Sequence, residues 1–228
     1  MVDYVSQFSR IGKEELTIDE RNILSVAFKN VVGTRRAAWR VITLIERKEN
    51  KKGTKQNAEK AKNYKQMIEK ELTTVCQKIL DLLNQDLIPE CKSNEGQVFL
   101  LKMKGDYYRY IAEYASGDQK DIAATQAENS YDQAYQKAQN GDGLSATHPI
   151  RLGLALNYSV FYYEIKQDAN KACKMARDAF DEAIAELDNV DDDFYKDATL
   201  IMQLLRDNLT LWTEESEADA AAAAELNN

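Results

Sequence analysis

Lys29 and Arg36 stand seven residues apart, and so do Lys102 and Arg109, with Asp106 inside the second interval and Tyr110 directly after it. On a helix, seven residues make about two turns, so the members of each pair project from one face. Guanidinium groups grip phosphate oxygens through two parallel N–H bonds, and a nearby carboxylate can hold the guanidinium plane in place. The chemistry this pattern could perform is anion recognition, a cationic pocket for a phosphate in an otherwise acidic protein. Intramolecular ion pairing is the plainer reading of the same residues, and spacing alone favours it.

Two later segments carry more apolar positions than one core requires. In the first, Leu154, Tyr158, Phe161 and Ile165 share a helical face. Leu156 and Val160 lie on another, beside Asn157 and one turn before Glu164. In the second, Ile201, Leu205, Leu209 and Trp212 form one stripe, and Leu200, Leu204 and Leu211 form a neighbouring stripe that includes Asn208. A helix packed on one side needs one stripe. Either both stripes are buried, or one faces the core and the other a partner whose backbone the asparagine amides could bond.

Catalysis finds no support. The chain has a single histidine, His148, which precedes Pro149 at a helix start and reads as a helix-entry hydrogen bond. One histidine excludes multi-histidine metal sites. No Ser or Cys motif completes a triad, and there is no Walker loop or glycine-rich phosphate cradle. The expectation is a protein that is not an enzyme and takes no cofactor or metal.

The elements that must position these residues read as helix after helix. Thr17 and Glu20 form a capping box, followed by a helix from about Glu20 to Lys48 with Gly33 inside it. Further helices are predicted from about Asn57 to Leu87, where Pro89 stops the run. Others follow at about 95–114, 119–140, 147–167, 169–187 and 194–213. Ala127, Tyr131, Ala134, Tyr135 and Ala138 recur at helical spacing, as do Ala172, Ala176, Ala179, Phe180 and Ala183. Small residues alternating with aromatics suit closely stacked antiparallel helices, as in TPR-like arrays. Loops are short and no linker appears, so 1–213 reads as one helical domain. From Glu214 the chain becomes an acidic, alanine-rich tail, expected to be disordered.

Composition agrees. The 228 residues include 9 glycines and 2 prolines, too few for an all-β chain, and 44% hydrophobic residues, enough for a core. The formal net charge of −8 argues against a general nucleic-acid or anionic-membrane surface. Cys76, Cys91 and Cys173 are odd in number and lack CxxC spacing. They read as reduced thiols in a reducing compartment, the cytoplasm with the nucleus also open to it. No stretch approaches the apolar length of a membrane span.

At this point the chain closely resembles the 14-3-3 family. The resemblance is carried by ERNILSVAFKNVVGTRRAAWR at 20–40, VFLLKMKGDYYRYIAEYASG at 98–117, THPIRLGLALNYSVFYYEI at 147–165 and YKDATLIMQLLRDNLTLWT at 195–213. It implies an all-α antiparallel bundle with an amphipathic groove. It also implies an adaptor that binds phosphoserine or phosphothreonine in extended segments of client proteins, usually as a dimer. The phosphate would be held by Lys29, Arg36, Arg109 and Tyr110, supported by Lys102 and Asp106. Asn157 and Asn208 would bond the ligand backbone. Leu156, Val160, Leu200, Ile201, Leu204 and Leu211 would form an apolar wall, with Glu164 and Trp212 near it. A scaffold for unphosphorylated peptides is the rival.

Family members normally begin with a further helix before the point that matches Met1. Without it, apolar surface on the helices bearing Trp39 to Ile45 and Tyr64 is expected to lose its cover. Met67 stands where the family usually has a lysine, and Glu71 is expected to lose its usual arginine. The implied consequence is a weakened or altered dimer. Ala38 replaces a serine that is phosphorylated in some members.

Overall fold

The computed structural model describes the backbone of residues 2–11, 15–190 and 192–226. It describes their side chains apart from 9–11, 189, 192–193 and 215–226. Among the described residues the regular structure is helical throughout. The helices are α1 (Val2–Ile11), α2 (Ile18–Lys52), α3 (Lys55–Leu82), α4 (Ile88–Glu90), α5 (Asn94–Tyr114), α6 (Asp118–Gln139), α7 (Pro149–Phe161), α8 (Ala169–Glu186) and α9 (Asp192–Leu226). The chain divides into two compact units, one of residues 1–92 with 107–123, the other of residues 93–106 with 124–228.

The first unit is built on the α2–α3 hairpin. The expected capping box opens α2: Thr17 N–H donates to Glu20 Oε2 at 2.8 Å and Glu20 N–H to Thr17 Oγ1 at 3.3 Å. Gly53, at φ 76°, takes the left-handed conformation that ends the helix, and its N–H reaches back to the carbonyls of Asn50 and Glu49. Glu49 then accepts from Thr54 Oγ1 at 2.7 Å and Asn57 Nδ2 at 3.2 Å, bonds that hold its carboxyl below the usual range. Along the hairpin, Trp39 Nε1 donates to Glu69 Oε1 at 2.9 Å, and Lys65 pairs with Glu46 at 2.5 Å. Leu24, Phe28 and Val32 of α2 are fully buried, as are Leu72, Cys76 and Ile79 of α3. Burial raises the Cys76 thiol to about 12, so this sulfur is inert packing.

Glu71 is not left without an arginine: Arg35 Nε donates to its Oε2 at 2.9 Å. The hairpin brings α2 and α3 into antiparallel register, and a partner 36 residues away in sequence takes the charge. The exposure expected on this unit is present, with Val41 at 57%, Leu44 at 64%, Tyr64 at 54% and Met67 at 59%.

Pro89 does not stop the helix at Leu87. A π-helical turn at Leu83–Leu87 leads into Ile88–Glu90, and the chain turns extended only at Cys91. A proline early in a new turn is tolerated because the N–H it lacks has no partner there in any case. The last helix also runs on past Thr213 to Leu226, through the alanines and glutamates that favour helix most. Of the acidic tail, side chains beyond Glu214 and residues 227–228 lie outside the described residues.

In the second unit the alternation of small and aromatic residues forms the core. Ala127, Tyr131, Ala134 and Ala138 are fully buried, as are Ala172, Ala176 and Ala183. The Tyr131 ring stacks on Tyr158 at 5.1 Å, and Phe161 lies 5.8 Å away. Gly105 permits α5 to touch this cluster. A Cβ there would lie 2.7 Å from two ring carbons of Tyr131, inside any tolerable contact. His148 opens α7 as expected. Its Nδ1 accepts from Ile150 N–H at 3.1 Å, its ring packs 5.0 Å from Phe194, and its Nε2 lies 3.8 Å from Glu95.

Gly105→Ala should cost about 1–3 kcal/mol through overpacking against an immobile ring, whereas Gly33→Ala, at an exposed position with open space around it, should gain up to about 1 kcal/mol; urea unfolding curves measure both. Burial lowers the His148 pKa from its ordinary 6.5, the opposing pull of Glu95 being smaller. A His whose folded pKa is depressed adds stability above its unfolded pKa and loses it as pH falls through the folded one. The acid limb of the stability profile below about pH 6.5 should therefore flatten in His148→Asn, which retains a capping side chain.

Candidate functional site: a guanidinium cluster and an uncovered apolar stripe

In the first unit, α2 and the last two turns of α5 bring arginines together around one carboxylate. Arg36 Nε donates to Glu113 Oε2 at 3.0 Å, and its Nη2 closes a second, shorter bond to Oε1. Arg40 Nη2 lies 3.4 Å from the same Oε1, and Arg109 Nη1 lies 3.9 Å from it. The Arg36 guanidinium sits 4.0 Å from the Tyr110 ring centroid and that of Arg109 4.8 Å from it, so one aromatic ring contacts two cations. The side chains of Arg109 and Glu113 are 7% and 9% exposed.

Three guanidiniums share one carboxylate in this cluster. The fork-like bond to Glu113 orients Arg36. Grouped cations in a half-buried setting interact with an anion more strongly than the same groups in water. The ion pairs of the plainer sequence reading exist. Lys29 lies two turns before Arg36 on α2; it is exposed and outside this contact set.

Spacing did not single out Glu113. The signal available was its position four residues after Arg109, on the same helical face. Its contacts with Arg36 and Arg40 bridge more than seventy residues and could not be read from the chain.

In the second unit, Lys102 and Asp106 form an i, i+4 ion pair at 3.0 Å. Asp106 Oδ1 also accepts from Tyr131 Oη at 2.6 Å and from Asn157 Nδ2 at 2.8 Å. Asp106, Lys102 and Asn157 are thus brought together. On α7, Leu154, Tyr158 and Phe161 are buried, while Leu156, Asn157 and Val160 are half-buried; Glu164, in the π-helical turn that follows, is exposed.

The two stripes of α9 separate in the same way. Leu205 is fully buried and Trp212 is 4% exposed, stacked on Tyr163 at 4.7 Å and 13°. Ile201 and Asn208 are half-buried. Leu200, Leu204 and Leu211 are 62%, 44% and 50% exposed. One stripe therefore faces the core and the other meets solvent. That arrangement suits recognition of an apolar segment more than a helix buried on both sides.

Removing Glu113 should destabilise the protein. With its carboxylate gone, Arg36, Arg40 and Arg109 lose the acceptor they share. Glu113→Ala should lose about 3 kcal/mol, as for one partner removed from a buried pair; chemical denaturation measures it, and adding phosphate should recover part of the loss.

Comparison with known proteins agrees with this architecture. The family model described as "14-3-3 protein" matches residues 1–213. The checkpoint signal transducer rad24 of Schizosaccharomyces pombe is 56% identical over 210 residues, covering 92% of this chain and 77% of the relative. The 14-3-3-like protein GF14 iota of Arabidopsis thaliana is 52% identical over 219 residues, covering 96% and 81%. A 14-3-3-like protein of Helianthus annuus is 54% identical over 210 residues, covering 92% and 80%. With a family model spanning nearly the whole chain and relatives above half identity along most of their own length, this protein belongs to the 14-3-3 family.

Proposed function

We propose that the chain is a phosphoserine- and phosphothreonine-dependent adaptor that binds client proteins in signalling and catalyses no reaction. Membership of an adaptor family supports this, as does similarity to a relative named a signal transducer. The observation that carries it is the sharing of Glu113 among Arg36, Arg40 and Arg109 beneath the Tyr110 ring. A phosphoserine carries about −1.5 to −2 charges at pH 7 and three acceptor oxygens. Arg36, Arg109, Lys29 and the Tyr110 hydroxyl are the donors assigned to it, with Lys102 and Asp106 in support. An unmodified serine offers neither the charge nor the acceptors, so the modified residue is preferred.

The flanking peptide falls to the second unit. Asn157 and Asn208 are assigned to the extended backbone, and Leu156, Val160, Leu200, Ile201, Leu204 and Leu211 to apolar side chains, bounded by Glu164 and Trp212. Binding of unphosphorylated peptides as the principal function is not favoured by the family assignment.

The family also implies dimers, and the exposed apolar residues Val41, Leu44, Tyr64 and Met67 support self-association. Among the described residues no helix is long and apolar enough to cross a membrane.

Fluorescence anisotropy with one peptide in phosphorylated and unphosphorylated forms tests the function. The phosphorylated form should bind and the other should not. Arg36→Ala or Arg109→Ala should each cost about 2–5 kcal/mol of binding, the range for one partner of a buried charge pair. Equal affinity of the two forms would overturn the proposal.

A further inference from the structure

Five cations lie in a row on α2: Lys29, Arg36, Arg40, Arg47 and Lys51. Lys29, Arg40 and Lys51 are each eleven residues apart, as are Arg36 and Arg47. Eleven residues come within about 20° of three whole helical turns, so all five fall in a strip about 60° wide. The residues of α2 that bond to α3, namely Arg35, Trp39 and Glu46, lie about 100° around the helix from this strip. The packed face and the cationic face are therefore different faces.

The near part of the row, Arg36 and Arg40, converges on Glu113. The far part has no such acid. Arg47 and Lys51 are exposed, and among the described residues neither takes part in an ion pair. The acids in that stretch of α2 are engaged elsewhere. Glu46 pairs with Lys65 at 2.5 Å, and Glu49 accepts from Thr54, Asn57 and Lys52. A chain of net charge −8 thus keeps two neighbouring cations free, in line with the cluster that the phosphate is assigned to.

We infer that Arg47 and Lys51 form a second recognition site, which takes an acidic segment of the same client whose phosphoserine occupies the cluster of Arg36 and Arg109. The inference rests on the proposed function and adds a second sequence requirement to it. At 1.5 Å per residue, Arg47 lies about 16 Å and Lys51 about 22 Å along α2 from Arg36. An extended peptide covers about 3.3 Å per residue, which places the acids about five and seven residues from the phosphoserine. The phosphate anchors the client first, so these contacts form at high effective concentration and even exposed ion pairs add affinity. Charge complementarity along one narrow row fits a single extended strand. The acidic remainder of the chain repels broad polyanions such as a membrane or a duplex, and a segment with two carboxylates meets little of that repulsion.

Three phosphoserine peptides test this with the full chain, by fluorescence anisotropy at low ionic strength. They carry Glu at five and seven residues before the phosphoserine, Glu at the same distances after it, or Gln at all four positions. One acidic peptide should bind about three- to tenfold tighter than the Gln peptide, the worth of two exposed ion pairs, and the gain should shrink as salt is raised. The gain should vanish in Arg47→Gln/Lys51→Gln. It should persist in Lys60→Gln/Lys62→Gln, which removes the same charge from exposed positions on α3. Equal affinity for all three peptides would overturn the inference, as would a gain lost equally in both double variants, the mark of a general field. Retention on phosphatidylserine vesicles or duplex DNA that requires Arg47 and Lys51, with no preference among the peptides, would overturn it in favour of a polyanion. The Gln peptide is compared first with its unphosphorylated form. No difference between them defeats the proposed function, whereas phosphate dependence without acid preference defeats only the inference.

Discussion

A single carboxylate, Glu113, placed among three guanidiniums is the constraint on which the functional reading depends. Burying cations side by side is expensive, and such a group exists only where something nearby offsets the repulsion. Without Glu113, α2 and α5 could not hold their arginines together. The shared carboxylate orients the guanidiniums, and the Tyr110 ring contacts two of the cations without competing for a ligand's oxygens.

The second unit follows a similar logic with weaker forces. Buried Asp106 gathers donors from Lys102, Tyr131 and Asn157, so a polar group becomes part of the core without an unmet hydrogen bond. Beyond it, α7 and α9 each bury one apolar stripe. On α9 the exposed leucines neighbour buried Leu205 and Trp212, so a face that meets solvent is carried on a helix whose opposite side is fixed. A recognition surface on rigid elements loses little conformational entropy when a ligand arrives.

Much of this was legible in the chain, and for identifiable reasons. The Thr17–Glu20 capping box, the His148 cap, the buried Ala–Tyr alternation of α6 and the division of α9 into two stripes are local patterns, and periodicity reports them faithfully. The candidate residues themselves came from seven-residue spacing and from family resemblance. What escaped was non-local. Arg36 and Glu113 are separated by 77 positions and Asn157 and Asp106 by 51, and no helical period links them. Arg35 with Glu71 escaped for the same reason, since the hairpin register sets it. The π-helical turns at Leu83–Leu87 and Tyr162–Lys166 escape because one inserted residue leaves the composition of a helix unchanged, which is also why Pro89 reads as a terminus in the sequence.

The central claim is that this cluster is where a phosphate is held. The most direct test follows the side-chain Nε–H signals of Arg36 and Arg109 by NMR during titration with a phosphoserine peptide. Both signals should move with the binding curve, while the unphosphorylated peptide leaves them in place. Signals that stay fixed while the phosphorylated peptide binds would put the phosphate elsewhere and contradict the account.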